Sequence, residues 1–364
     1  MAGPGRNAPG PPVVSLSTMP LRLSVLDLVP VREGQSSAQA IASSLRHAEE
    51  ADLLGFERFW FAEHHNMPAV ASTSPAVLDA MVLSRTARIR VGSGGVMLPN
   101  HSPFVIAEQF ALLEAAAPGR VDLGLGRAPG SEPIVRALLA SGGHASSADA
   151  FDDNVADLIA LLQPGGAQLR IADGRNVPIR ATPASASVPE IWILGSSDYS
   201  ALLAARMGLP YAFAHHFSMG GTEHAIDLYR RRFEASQHLS APRVLVTANV
   251  VAAQTAEEAE ARALPHLRYI GRLRTGGPLG PQLTVEQAQR EEPSFEAAAV
   301  SERARREWIV GDAQQAQEGL RALSERMGTD EIMISVVAAA REGEDLDLIE
   351  PRNETLRLVA PLLS

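Results

Sequence analysis

Short apolar runs alternate with longer amphipathic stretches along the chain from Leu21 onward. Such alternation is typical of repeated βα units built around a parallel sheet. The apolar runs predict eight strands, at Leu21 to Leu28, Arg58 to Ala62, Ile89 to Met97, Val121 to Leu125, Ile191 to Gly195, Tyr211 to Ala214, Val244 to Val251 and Glu331 to Ser335. Eight strand–helix pairs predict an α/β fold, a (β/α)8 TIM barrel with loop insertions, although an open doubly wound sheet would give a similar pattern.

Two helix starts are marked by a serine directly before a proline, at Ser74-Pro75 and Ser102-Pro103. Serine is a preferred helix cap, and proline is favoured at the first helical position. Further amphipathic stretches predict helices at Phe151 to Leu162, Ser200 to Met207, Gly221 to Ser236, Ala313 to Met327 and Leu346 to Leu363.

The predicted barrel does not account for all residues of the chain, and the remaining segments define the domain organisation. Residues 1–20, rich in proline and glycine, predict a disordered leader, and residues 21–364 a single barrel domain. A barrel needs about 250 residues, so we expect the surplus in loops at 141–150, 163–189 and 271–304. The last of these begins with four glycines in ten residues and ends in a charged stretch, which predicts a mobile lid with few core contacts.

Charge and composition exclude several kinds of partner and chemistry. The formal net charge of −10 disfavours nucleic acids and anionic membranes as partners. The chain has no cysteine, and all 32 of its basic residues are arginine. Disulfides, thiolate metal sites, cysteine nucleophiles, lysine Schiff bases and P-loop lysines are therefore excluded. Since no apolar run is long enough to span a membrane, we expect a cytoplasmic protein.

Polar residues at the ends of the predicted strands are the candidates for chemistry, because a barrel's active site lies at the carboxyl ends of its strands. The second strand runs out into Glu63, His64 and His65. A histidine beside a carboxylate is suited to acid–base catalysis, and a hydrogen-bonded structural cluster is the alternative. Because adjacent strand residues face opposite ways, only one of His64 and His65 should point into the mouth.

Three further histidines follow strand ends, namely His101, His215 and His216. We predict that they line a substrate pocket. Imidazole and carboxylate groups converging on one mouth would also suit a metal-dependent hydrolase, although the first strand offers no pair of histidines two residues apart.

Two stretches predict a phosphate site. Arg127 ends the glycine-lined fourth strand, and a guanidinium can pair with phosphate oxygens. The turn from Gly195 to Ser200 lies between a strand and a helix, where free backbone N–H groups and the helix dipole favour an anion. The candidate residues of this turn are Gly195, Ser196, Ser197, Tyr199 and Ser200. A surface salt bridge for Arg127 and an ordinary helix cap at Ser197 are the alternatives.

Six segments together resemble the luciferase-like flavin-dependent monooxygenase family, the barrel superfamily that includes bacterial luciferase. They are Trp60 to His65, Val91 to Pro99, Pro118 to Arg127, Leu194 to Ser197, Phe213 to Phe217 and Ile309 to Asp312. The resemblance covers nearly the whole chain from Leu21, and it is specific because these segments occur jointly and in this order.

The resemblance implies that reduced FMN, delivered by a separate flavin reductase, binds at the mouth and works with dioxygen to oxidise a small organic substrate. His64 would then handle protons near the flavin, and Arg127 with the turn from Gly195 would hold its phosphate. The peptide between Gly94 and Gly95 would be cis beneath the flavin ring, and the protein would form a homodimer. A deazaflavin-dependent oxidoreductase, or a flavin-binding protein with little turnover, would also fit the family, and the substrate is not legible.

Overall fold

The computed structural model describes residues 21–128, 133–141, 148–217 and 220–363, so the predicted leader lies outside the described residues. Eight parallel strands close into a barrel with helices around it, which confirms the predicted fold. The described strands are β1 Arg22–Asp27, β2 Arg58–Phe61, β3 Arg90–Met97, β4 Val121–Gly126, β5 Ala167–Arg170, β6 Asn176–Ile179, β7 Glu190–Gly195, β8 Tyr211–Phe213, β9 Val244–Ala252, β10 Ile309–Gly311 and β11 Glu331–Val336.

The barrel strands follow one another in the order β9, β11, β1, β2, β3, β4, β7 and β8, and the β8–β9 pairing closes the ring. These are the eight strands that the apolar runs predicted. The sequence pattern missed three short strands. β10 pairs in parallel with the carboxyl end of β9. β5 and β6 form an antiparallel hairpin within the predicted insertion at 163–189.

Helices cover the outside of the barrel. The described ones are α1 Ser37–Leu54, α2 Pro75–Leu83, α3 Pro103–Ala116, α4 Pro133–Ser141, α5 Phe151–Leu162, α6 Asp198–Met207, α7 Thr222–Arg232, α8 Ala256–Thr275, α9 Val285–Arg290, α10 Phe295–Glu307, α11 Ala313–Met327 and α12 Glu350–Val359. The prolines open α2 and α3 as predicted, but neither Ser74 nor Ser102 makes a side-chain capping bond among the described residues. None of the helices that the structure describes is both long and apolar enough to cross a bilayer.

The amino-terminal end of the barrel is filled by an ionic network. The buried guanidinium of Arg58 contacts Asp122 at 2.7 Å, Glu331 at 2.8 Å and Glu190 at 3.1 Å. Above it, the rings of Trp60 and Trp192 pack edge to face at 5.5 Å. This end carries packing and ion pairs, as is usual for the stabilising face of a barrel, and leaves the other end free for chemistry.

The segment 271–304 is more structured than its composition indicates. Its first residues complete α8, and α9 and most of α10 follow. Val285, Ala288 and Ala297 are buried, and the Ser301 hydroxyl donates to the Leu267 carbonyl at 2.8 Å. The expectation of few core contacts was therefore wrong, because helical periodicity places small residues against α8. Mobility of this segment on ligand binding stays a prediction.

Candidate active site

A cavity of about 1100 Å³ opens at the carboxyl ends of the strands. It brings together ten of the residues that the sequence singled out, from five different strand ends. They are His64, Gly94, Gly95, Arg127, Gly195, Ser196, Ser197, Tyr199, Ser200 and His216. Strand ends far apart in sequence converge here because all eight strands are parallel.

Glu63 lies beside this cavity at the centre of a hydrogen-bonded cluster. Its Oε1 contacts Nε2 of His65 and Nε2 of His101, both at 2.8 Å, and its Oε2 accepts from the Met97 amide at 3.0 Å. Burial opposes ionisation of Glu63, but these hydrogen bonds outweigh it and lower the pKa to about 2. Glu63 is therefore an anion at neutral pH that ties the end of β2 to the end of β3.

His64 and His65 face different ways, as predicted, although both lie beyond the end of β2 at Phe61. His64 lines the cavity, whereas the ring of His65 is turned to Glu63. The Nδ1 of His64 is buried and has no hydrogen-bond partner among the described residues. Burial lowers the pKa of His64 below its ordinary value of 6.5, so its ring is neutral at pH 7 and free to accept a proton.

The peptide between Gly94 and Gly95 is cis, as the resemblance implied, and both residues line the cavity. Close packing leaves no room for a side chain at Gly95 and little room at Gly94. A Cβ on Gly94 would lie 2.6 Å from Cδ1 of Leu26, and a Cβ on Gly95 would lie 2.7 Å from the Gly124 carbonyl oxygen. A larger residue at Gly95 would displace the neighbouring strand β4.

On another wall, Arg127 stacks on Tyr199. Its guanidinium carbon lies 4.1 Å from the ring centre, and its Nε donates to the Ala148 carbonyl at 3.2 Å. Tyr199 stands in the first turn of α6, and its hydroxyl bonds to Asp152. Burial and this carboxylate raise the pKa of Tyr199 to about 12, so the ring is neutral. The stacking fixes Arg127 beside the start of α6.

The turn before α6 keeps its backbone donors available. Ser197 is the N-cap residue, yet its side chain makes no capping bond within the described residues. Ser200 donates to the Ser197 carbonyl at 2.8 Å, and a Cβ on Gly195 would lie 2.3 Å from the Ser200 hydroxyl oxygen. The turn is thus compact, and the uncapped N–H groups at the start of α6 lie beside Arg127.

Two of the predicted pocket histidines lie away from the cavity. The ring of His101 bonds to Glu63. His215 is buried, with its Nδ1 2.8 Å from the Thr222 hydroxyl oxygen. Neither residue lines this cavity, although both were predicted to line a substrate pocket, since a position after a strand does not fix the direction of a side chain. His216 does line the cavity.

Sequence reasoning missed the contribution of α8, which supplies His266, Tyr269, Ile270, Leu273 and Arg274 to the cavity wall. Pro265 lies inside this helix and obscured it, because proline usually ends a helix. The signal that could have revealed it is Thr255 followed by Glu258, a capping pattern in which the Thr255 hydroxyl accepts from the Glu258 amide at 3.2 Å.

The histidine and carboxylate side chains at the mouth do not form a metal site among the described residues. In the ranges that the structure describes, no three histidine, aspartate or glutamate side chains are grouped so that they could hold a metal ion. Instead, the imidazoles of His64 and His216 lie on the cavity wall, whereas those of His65 and His101 bond to Glu63.

Comparison with known proteins gives one consistent family. A family model described as luciferase-like monooxygenase matches residues 21–331. A protein of Escherichia coli strain K12 named luciferase-like monooxygenase is 39% identical over 322 residues, which cover 86% of this chain and 91% of that protein. The crystal structure of apo-MsnO8 superposes with a TM-score of 0.79 at 30% identity and covers 94% of this chain and 98% of its own.

Two more distant structures share the fold and contain different cofactors. The oxygenating constituent of 3,6-diketocamphane monooxygenase from Pseudomonas putida, in complex with FMN, has a TM-score of 0.66 at 17% identity, covering 94% of this chain and 98% of its own. An F420-dependent secondary alcohol dehydrogenase, in complex with an F420-acetone adduct, has a TM-score of 0.66 at 13% identity, covering 95% and 100%. At these identities the likeness concerns the fold alone.

Proposed function

The chain belongs to the luciferase-like monooxygenase family, and we propose that it binds reduced FMN at the barrel mouth and uses dioxygen to oxidise a small organic substrate. The observation that carries the proposal is the pairing of Arg127 with the uncapped start of α6 on one cavity wall. A guanidinium and free backbone N–H groups together form a site for a phosphate group. A phosphate-bearing cofactor bound there would place its other end toward His64 and the Gly94-Gly95 wall.

The dimensions of the cavity support a cofactor and a substrate together. Its volume of about 1100 Å³ slightly exceeds the roughly 300–1,000 Å³ that ligand pockets usually occupy. Apolar side chains of Met97, Leu194, Ile270 and Leu273 line it and would exclude water from a flat ring system. When bound, reduced FMN supplies the electrons that activate dioxygen.

The chain's own residues supply binding and proton handling. Arg127 and the turn from Gly195 to Ser200 would hold the phosphate. His64, neutral at pH 7, would take up or return a proton at its ring in the cavity. Glu63 and His65 were candidates for acid–base work, and the geometry favours a positioning role for both. The Glu63 anion already accepts three hydrogen bonds of 3.0 Å or less and holds the strand ends that carry His64 and Met97.

Two further parts of the proposal concern the oligomeric state of the protein and the source of its reduced FMN. We propose a cytoplasmic homodimer that receives reduced FMN from a separate flavin reductase. The support for the dimer is apolar surface on α2 and α3, where Val77, Val105 and Leu112 are exposed.

An F420-dependent oxidoreductase is the second candidate, favoured by the fold shared with the secondary alcohol dehydrogenase. The two differ in the fate of dioxygen. Turnover with reduced FMN under ¹⁸O₂, with methyl phenyl sulfide and cyclohexanone as probe substrates, should put ¹⁸O into an organic product. Substrate reduction by reduced F420 without oxygen would favour the second candidate. Binding of FMN with release of hydrogen peroxide alone would favour a flavin-binding protein with little turnover.

A further inference from the structure

A second, smaller cavity adjoins the mouth cavity and is called the side recess here. Its volume is about 40 Å³. Since one water needs about 10–15 Å³, the recess has room for a group of a few heavy atoms. Its wall is shared with the mouth cavity along Leu26, Leu28, His216, Phe217, His266 and Ile270. A molecule in the mouth cavity therefore lies next to the recess.

Polar groups in the recess lack partners. Ser335, on β11, is only 5% exposed and lines the recess. Its hydroxyl has no hydrogen-bond partner in the described part of the chain. The Nδ1 of His216 is likewise buried and without a partner among those residues. A hydrogen bond to the Ser335 hydroxyl contributes about 1 kcal/mol, so a ligand group that accepts from it would gain affinity.

The charged residues of the recess are already paired with each other. Nη2 of Arg352 lies 2.9 Å from Oδ1 of Asp27, and Nε of Arg352 donates to the Val336 carbonyl at 3.0 Å. Burial lowers the pKa of His216 to about 3 and that of His266 to about 4, so both rings are neutral at pH 7. A charged ligand group would have to leave water without an available counterion.

We propose that the side recess binds an uncharged oxygen-bearing group of the substrate, the carbonyl of an amide, ester or ketone, with the Ser335 hydroxyl as its donor. His216 and His266 also line the recess, and Asn249 holds His216 in place by donating to its carbonyl at 3.2 Å. The recess thus selects neutral carbonyl compounds over organic acids and amines. This assignment of substrate class rests on the proposed function, since only a reacting substrate in the mouth cavity gives the recess its role.

Small probes test the recess without flavin or substrate. In the full-length protein labelled with ¹³C at histidine Cε1, each of the ten histidines gives one NMR signal. The variants His216→Gln and His266→Gln assign the two signals of interest. Acetamide, acetate and methylammonium are then titrated separately at pH 7. We expect acetamide to shift both signals saturably, and acetate and methylammonium to leave them in place.

The Ser335→Ala variant should weaken acetamide binding by about fivefold, the loss expected for one hydrogen bond. Thr247→Val is the matched control. It removes a barrel hydroxyl on the adjacent strand β9 that bonds to the Phe213 carbonyl at 3.1 Å, and it should leave acetamide affinity unchanged. Stronger shifts with acetate or methylammonium, no saturable shift with acetamide, or equal affinity in Ser335→Ala would overturn the proposal. Since flavin is absent, these results bear on the recess alone, whereas failure to bind reduced FMN bears on the proposed function alone.

Discussion

Oε1 of Glu63 lies 2.8 Å from Nε2 of His101, and this contact ties the end of β2 to the loop after β3. The same carboxylate accepts from the Met97 amide at the end of β3. His64, the next residue along the chain, lines the cavity. The position of His64 therefore depends on an anion that does not itself line the cavity.

This relationship predicts an acid-sensitive contribution to stability. The pKa of Glu63 is lowered from 4.5 to about 2, so the folded state binds fewer protons than the unfolded state between these values. The stabilisation is fully present above pH 4.5 and is lost as pH falls toward 2. Glu63→Gln should lower the free energy of unfolding by on the order of 3 kcal/mol at pH 6, and the deficit should shrink below pH 4.5. Urea unfolding at several pH values measures this, with the exposed Glu318→Gln as control. A deficit independent of pH would contradict it.

Asp79 on α2 should have the opposite pH dependence. It is fully buried, and neither carboxylate oxygen has a partner within the described ranges. Burial raises its pKa well above 3.8, so the folded state keeps a proton that the unfolded state releases. Stability should then fall as pH rises above 3.8, by up to about 1.4 kcal/mol per pH unit. Asp79→Asn removes this penalty, and its advantage over the unmodified protein in urea unfolding should grow from pH 5 to pH 8. Parallel pH profiles of the two proteins would refute the assignment.

His64 should govern turnover without governing flavin affinity. Removing a general acid–base group typically costs about 10²–10⁴ in rate, so His64→Asn should lose that much product formation while reduced FMN binds almost unchanged. The exposed His224→Asn on α7 is the control. Burial lowers the pKa of His64 from its ordinary value of 6.5. The rate should therefore stay constant as the pH falls from 7 through 6.5, and it should decrease only at pH values below 6.5. Full activity in His64→Asn would remove this residue from the mechanism.

The dimer prediction depends on α2 and α3. Leu112 on α3 is 59% exposed and Val77 on α2 is 53% exposed, and symmetric pairing would bury such a surface. Leu112→Glu should shift a dimer toward monomer in sedimentation velocity at micromolar concentration. Leu53→Glu, at a site on α1 that is 76% exposed, should not. A monomeric unmodified protein at that concentration would count against the prediction.

The sequence predicted the barrel well because its strands are buried on both faces. The run Val244 to Val251 is apolar except at Thr247 and Asn249, and β9 is buried at all nine positions. The hairpin of β5 and β6 carried no such signal, because its residues are largely exposed. Helix α1 was also missed, although Ser36 and Gln39 form a capping box at its start. Its polar composition concealed the few apolar residues that it buries, which are Ala40, Leu45, Ala48 and Ala51.

The sequence predicted those residues of the candidate site whose position is set by the backbone at a strand end. Residues such as Gly195 and Arg127 belong to strand ends, where the backbone itself delivers them to the mouth. His101 and His215 follow strand ends too, but local hydrogen bonds turn their rings to other partners. His266 reaches the cavity from a helix that follows β9, and only the packing of that helix on the barrel brings it there.

The central claim is that the mouth cavity binds reduced FMN through the phosphate site at Arg127 and the start of α6. Anaerobic titration of the protein with reduced FMN, followed by calorimetry, tests it most directly. We predict saturable binding of one flavin per chain, at least tenfold weaker in Arg127→Ala and unchanged in Arg85→Ala, whose side chain is exposed on the barrel's outside. No binding up to about millimolar flavin, which corresponds to less than about 4 kcal/mol, or equal affinity in Arg127→Ala, would contradict the account.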